Sequence, residues 1–283
     1  MSDLRKEFEQ RGFVVLKGVI PQNEIEQYVK HLKDIDKDKK KNSWTIPDGV
    51  VQHKEFWPVI TMNKVTEKVR EILGDDIKFL QHNDLHYGYS SFAWHRDSIN
   101  RYFDPKLPDW QEDEEPYQVV RCGYYLQPEE QEFELGVLPG SHKLSGCLSE
   151  EEFLEEDKYL THVQNIKAKV GGKDVLKEKA EWIRTQPGDC VIFDPRLIHT
   201  GGEFGGIKYS FFVAYGIENR HFKEHYTYYR HLRTDLKYKP IPAALKTQLK
   251  EAGLYASEDQ FTEKIEGAWI PSKAFAMVAN LFN

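Results

Sequence analysis

The sequence predicts a mainly β protein with flanking helices, built as an antiparallel sandwich or jelly roll. Three observations predict it. After residue 74 the chain changes to short segments rich in Val, Ile, Phe and Tyr; Gly, Pro and Asp turn residues separate them; and the strand-helix-strand rhythm of a parallel sheet is missing. The 283 residues, 40% of them hydrophobic and 30% charged, suffice for one large domain or two small ones, each with a substantial core.

The first half supplies the helices. Residues 2–11 read as an amphipathic helix capped by Ser2 or Asp3 and stopped by Gly12, and "FVVLKGVI" after it has strand composition. Pro21 opens "PQNEIEQYVKHLKDI", where Ile25, Tyr28, Val29, Leu32 and Ile35 share one helical face suited to packing on a sheet. "DKDKKKN" reads as a solvated loop. A further helix is expected over about residues 62–73, ending at Gly74. Strands are then expected at "IKFLQHNDLHYG", "QVVRCGYYLQ", "EWIRTQ", "DCVIFDP" and "IKYSFFVAYG". "RYFDPKLPDWQEDEEPYQ" reads as a loop, and the aromatic, basic "RHFKEHYTYYRHLRTDLKYK" as part of a C-terminal brace.

Charge and composition exclude several function classes. The net charge is -7, with 39 Lys and Arg against 46 Asp and Glu, which argues against nucleic acid or anionic membrane as a partner. No stretch has the eighteen or so consecutive apolar residues of a membrane span. The cysteines, Cys122, Cys147 and Cys190, are odd in number and widely spaced, so a reducing, cytoplasmic setting is expected.

His-x-acid pairs occur at His53/Glu55, His82/Asp84 and His95/Asp97. A ferrous site with two imidazoles and one carboxylate on one face, and three positions open, needs a second histidine from elsewhere. His199, at the end of "GDCVIFDPRLIHTGG", is the candidate. Residues two apart on an extended segment point the same way, so His95 and Asp97 can both face a barrel interior while Arg96 turns outward. His82 and Asp84 share a strand face by the same rule and are the rivals. In "GGIKYSFFVAYG", Lys208, Ser210 and Phe212 fall on one face and Ile207, Tyr209, Phe211 and Val213 on the other. A lysine aimed into a core needs an anion. The distal carboxylate of a dicarboxylic co-substrate, shared with Ser210, would serve; a lysine at an exposed strand start would need only water.

Several longer segments resemble the phytanoyl-CoA dioxygenase-like group of iron(II)- and 2-oxoglutarate-dependent oxygenases. They are "FEQRGFVVLKGVIPQNEIEQY", "AWHRD", "RCGYYLQ", the loop "ELGVLPGSHK" and "GDCVIFDPRLIHTGG", in that order over most of the chain. The resemblance implies a double-stranded β-helix, the cupin-like jelly roll. Residues 1–283 would form a single domain, with helical support to about 75, a core over about 76–216 and a brace over 217–283. It implies Fe(II) held by His95, Asp97 and His199, with 2-oxoglutarate as co-substrate, dioxygen as oxidant and ascorbate as reductant. The expected reaction is hydroxylation of an aliphatic C–H bond of a small molecule, with release of succinate and CO2, because Asp97 keeps the carboxylate that related halogenases lack; desaturation and ring formation are the alternatives. His142 would not be a ligand. The family usually has an arginine where Lys208 stands, so Arg196 or Arg121 could substitute as anchor. Gln81 and Asn83 are expected to hydrogen-bond the co-substrate. Arg101 and Lys106 suggest an anionic substrate, and Tyr87 and Tyr89 could wall its pocket. The alternative class is a non-catalytic jelly-roll module that binds a metal or small ligand.

Overall fold

The computed structural model describes residues 1–36, 44–88, 93–127, 133–146, 148–160, 174–202, 207–262 and 265–270. The charge run after Asp36, Tyr89 and Cys147 lie outside these. The described strands are β1 (Phe13–Leu16), β2 (Trp44–Pro47), β3 (Ile77–Gly88), β4 (Val119–Tyr125), β5 (Phe133–Val137), β6 (Glu181–Thr185), β7 (Cys190–Phe193), β8 (His199–Gly201) and β9 (Lys208–Ile217). They form two antiparallel sheets, one in the order β1-β7-β4-β9-β3-β2 and one in the order β6-β5-β8, facing each other as a jelly roll.

Alternation along the strands feeds two cores. Val120, Cys122 and Tyr124 of β4, Ile192 of β7 and Phe211 and Val213 of β9 turn to the outer face of the large sheet. There they meet Ile25, Tyr28 and Leu32 of the Gln22–Asp36 helix, Val65, Val69 and Ile72 of the Asn63–Leu73 helix, and Leu245 and Leu249 of the Ala243–Glu251 helix. The opposite face buries Tyr125, Val191, Phe193 and Phe212 against Phe133, Leu135, Val137 and Ile183 of the small sheet. Each such side chain contributes about 1.5–3 kcal/mol by leaving water.

Helix punctuation follows the side chains. The first helix is Asp3–Arg11; Ser2 Oγ accepts from the Arg5 N–H at 3.2 Å, and Gly12, at φ 81°, donates its N–H to Phe8 at 2.7 Å. The strand expected through Ile20 stops at Leu16 instead. Asp189 accounts for this: it accepts from Gly18 N–H at 3.0 Å and from the Lys17 ammonium at 2.8 Å, and Gly18 takes φ 56°. The "ELGVLPGSHK" segment, expected to be a loop, begins as β5, because Leu135 and Val137 pack into the inner core. The C-terminal region is more than a brace. The Arg220–Thr227 helix runs into a π-helical stretch, Tyr228–Leu232, whose Tyr229 lines the interior cavity together with Arg233, Leu236 and Tyr238 after it.

β3 carries an irregularity next to the cavity. Leu80 pairs with Ala214 but Asp84 pairs with Phe212, so β3 holds two extra residues between those rungs. An insertion of two keeps the alternation of the strand, so His82, Asp84 and His86 face the interior while Leu85, like Ile77 and Phe79 before the insertion, joins the outer core.

Gly123 lies opposite Phe212 on the neighbouring β9, where a Cβ would sit 2.6 Å from the Phe212 ring. Gly123→Val is expected to cost about 1–3 kcal/mol through overpacking and to displace Phe212. Chemical denaturation measures the loss.

Candidate metal centre and its cavity

Two backbone hydrogen bonds bring the histidines together. His95 N–H donates to His199 O at 3.1 Å and His199 N–H to His95 O at 3.0 Å, an antiparallel bridge that seats the imidazoles side by side at 4.3 Å between centroids. Each ring has one nitrogen committed: His95 Nδ1 lies 2.7 Å from Ala93 O and His199 Nδ1 2.9 Å from Leu197 O. A carbonyl only accepts, so both Nδ1 atoms carry the proton and both Nε2 lone pairs are available. Asp97 completes the group. Its Oδ1 lies 3.6 Å from His95 Nε2 and its Oδ2 3.6 Å from His199 Nε2. The three ligand atoms lie within 4.8 Å of one another, a spacing that one cation between them can span.

Asp97 is fixed from several sides. Its N–H donates to Pro195 O at 2.7 Å, and its carbonyl accepts from Tyr229 OH at 2.9 Å. Its carboxylate meets Arg121, whose other terminal nitrogen reaches Asp84 Oδ2 at 2.5 Å; Asp84 in turn bonds His86 Nε2. Burial opposes a charge on Asp97, but the Arg121 guanidinium beside it outweighs the burial and holds the carboxyl well below its ordinary value. Burial, reinforced by His199, pulls His95 down to about 3, so the ring is neutral and ready to donate.

These groups open on a cavity of about 230 Å³. Lys208 lines it, and so the strand-face reading of β9 holds: Lys208 is buried, with its ammonium 4.8 Å from the Phe133 ring centroid and 5.6 Å from that of Phe212. Burial lowers Lys208 to about 8 although Asp84 draws it back up. Ser210 shares the face without lining the cavity; its Oγ is buried with no hydrogen-bond partner.

Other expected contacts are elsewhere. Gln81 and Asn83 sit on the opposite face of β3, where their amide nitrogens hold Asp48 Oδ1 at 2.9 and 3.1 Å, so neither lines the cavity. Arg196 is closed on Asp194 and Glu112 at 2.9 and 2.6 Å and cannot be the anchor. Arg121 does line the cavity, but Asp97 and Asp84 occupy its fork. Arg96 turns away from the cavity as expected, yet it is buried over Trp110 and paired with Asp157 rather than solvated. Arg101 lines the cavity, whereas Lys106 is exposed and Tyr87 stacks on Trp44. His82 and Asp84 line it without joining the ligand group: His82 Nδ1 bonds His225 Nε2 at 2.9 Å and Asp84 serves Arg121. The sequence reading missed Tyr229, Arg233, Leu236 and Tyr238, all on the cavity wall. Tyr229 and Arg233 had a signal, their four-residue spacing along one helical face, whereas Leu236 and Tyr238 had none.

A family model for phytanoyl-CoA dioxygenase (PhyH) matches residues 8–204. This chain belongs to the phytanoyl-CoA dioxygenase family. Its fold is similar to that of HygX from Streptomyces hygroscopicus, solved with nickel and 2-oxoglutarate bound, at a TM-score of 0.54 and 17% identity, over 77% of this chain and 88% of that one. The epimerase SnoN from nogalamycin biosynthesis, non-heme and alpha-ketoglutarate dependent, gives 0.51 and 14%, over 76% and 81%. The carbocyclase SnoK from the same biosynthesis gives 0.51 and 12%, over 77% and 84%. No curated protein matches the sequence.

The residues present fit the iron and 2-oxoglutarate that membership of this family implies. Two imidazole nitrogens and one carboxylate suit a divalent ion with open positions. Lys208, a buried cation with no carboxylate partner among the described residues, and the unpartnered Ser210 Oγ suit an anion. Removing a ligand in His199→Ala is expected to weaken Mn(II) binding beyond the roughly 10–100-fold typical of losing an outer partner, and Tyr229→Phe to stay within that range. Titration calorimetry with Mn(II) makes the comparison.

Proposed function

We propose that the protein is an iron(II)- and 2-oxoglutarate-dependent oxygenase that hydroxylates an aliphatic C–H bond of a small-molecule substrate, releasing succinate and CO2. The observation that carries this reading is a face of two imidazoles and one carboxylate opening on a cavity whose wall also holds a buried lysine with no ion-pair partner among the described residues. Iron and 2-oxoglutarate, when bound, supply the oxidising power through which dioxygen attacks an unactivated C–H bond.

The chain supplies position and charge. His95 and His199 present Nε2 because their Nδ1 protons are held by backbone carbonyls. Arg121 keeps Asp97 ionised, and Tyr229 holds its backbone. Lys208 receives the distal carboxylate of 2-oxoglutarate as a single point charge, where a guanidinium would offer a fork. Phe193, Phe212 and Leu135 line the interior and exclude water around the reacting carbon. Hydroxylation is favoured by Asp97, which occupies with a carboxylate the position that a halide would need. We place the protein in a reducing cytoplasm: Cys122 and Cys190 are buried free thiols, and no described helix is long and apolar enough to cross a membrane.

Purified protein supplied with Fe(II), ascorbate, 2-oxoglutarate and air is expected to form succinate, faster when a substrate from a metabolite panel is added. Iron binding without any 2-oxoglutarate binding would leave only the ligand-binding module. Because burial brings Lys208 to about 8, it loses its proton as pH rises through that value, and 2-oxoglutarate affinity is expected to fall over the same interval. Lys208→Arg keeps its charge and should abolish the fall; Lys208→Gln should weaken the affinity at every pH. Anaerobic titration of the metal-loaded protein reads all three.

A further inference from the structure

The cavity has two cationic poles. Lys208 shares the Phe212 ring with Arg121, at 5.6 and 4.8 Å from its centroid, while Arg101 stands at Trp269. At the second pole Arg101 lies against the indole of Trp269, its guanidinium carbon 4.1 Å from the ring centroid, and Arg233 approaches the same ring at 5.8 Å. Both arginines line the cavity, but their states differ. Arg233 closes a fork on Asp235, with both N–O distances 2.9 Å. Arg101 makes no ion pair among the described residues, and its Nε is buried without a hydrogen bond.

The scaffold around Arg101 is tightly specified. Trp269 N–H donates to Ile99 O at 3.0 Å, and the Asn100 amide donates to Glu266 O at 3.1 Å. Asn100 and Asp109 exchange two further bonds, of 2.9 and 3.1 Å, and the Arg101 carbonyl accepts from Arg96 at 3.3 Å. A guanidinium held on an aromatic plate, with its donors unspent, is prepared for a planar or tetrahedral oxyanion.

Charge balance points the same way. The wall carries Arg101, Arg121, Lys208 and Arg233 against Asp84 and Asp97, and Asp235 neutralises Arg233 from behind. One positive charge is left over. A divalent cation at the histidines and Asp97 and a doubly charged 2-oxoglutarate cancel each other, so the surplus persists in the loaded site.

We infer that the primary substrate carries an anionic group, a carboxylate or a phosphate, and that Arg101, backed by Trp269, receives it. This rests on the oxygenase reading. Arg101 is then the residue that selects the substrate, and Lys208 the one that selects the co-substrate. Two anions enter one cavity without exchanging places because each meets its own cation.

The test uses the full chain loaded with Mn(II) and saturating 2-oxoglutarate, titrated calorimetrically with acetate and with inorganic phosphate. The wild type is expected to bind one of the two, and which one it prefers tells a carboxylate substrate from a phosphate ester. Arg101→Gln should weaken that binding about tenfold or more. Arg101→Lys, which keeps the charge and loses the fork, should fall between. Affinity for 2-oxoglutarate should stay within about twofold in both variants, which also shows that they fold. Anion binding that is indifferent to Arg101→Gln, absence of anion binding in the wild type, or loss of 2-oxoglutarate in place of the small anion would each overturn the assignment alone. Failure of the Mn(II)-loaded wild type to bind 2-oxoglutarate would overturn the oxygenase reading and the assignment with it.

Discussion

Everything at the centre of this protein depends on the pair of backbone hydrogen bonds between His95 and His199. Residues that exchange both bonds across an antiparallel pair project their side chains to the same face. The bridge therefore brings two imidazoles, far apart in the chain, to one side of the barrel without any contact between the rings being needed to hold them. The carbonyls of Ala93 and Leu197 then orient each ring from the residue two positions back. The Nε2 atoms converge because the backbone has already been aligned.

The second constraint is electrostatic. A carboxylate as buried as Asp97 is tolerated only with compensating charge, and Arg121 provides it from β4, a strand that contributes no ligand. Arg121 in turn rests above the Phe212 ring at 4.8 Å, and that ring lies where Gly123 has no side chain. The chain of dependence runs from a glycine, through an aromatic ring and a guanidinium, to the orientation of a carboxylate. Asp84 and His86 extend it on the other side. The neutralising network joins three adjacent strands of the large sheet, β4, β9 and β3, across the floor of the cavity.

Local chemistry was legible in the sequence wherever it acts within a few residues. Ser2 and Gly12 mark the first helix, and the alternation of Lys208, Phe211, Phe212 and Val213 assigns both faces of β9. Side chains two apart on an extended segment also bring His95 and Asp97 to one side. What escaped required long-range information. The two extra residues in β3 change which part of the strand meets which rung of β9, and Gln81 and Asn83 went to Asp48, a partner far back in the chain that no local pattern reveals. β5 is short and holds a glycine, and it is a strand because β6 and β8 flank it. The wall formed by Tyr229, Arg233 and Tyr238 depends on how the C-terminal region folds back, and periodicity within that segment fixes only which residues travel together.

The paired imidazoles of His82 and His225 give the cavity a property of their own. Burial holds both rings neutral, so each carries one proton, and the bond between His82 Nδ1 and His225 Nε2 can be made from either side. When His82 supplies the hydrogen, its Nε2 is left with a lone pair; when His225 supplies it, His82 Nε2 bears the hydrogen. The two pairings carry the same net charge, so which ring donates decides whether His82 Nε2 is a lone pair or an N–H with no change of charge in the cavity.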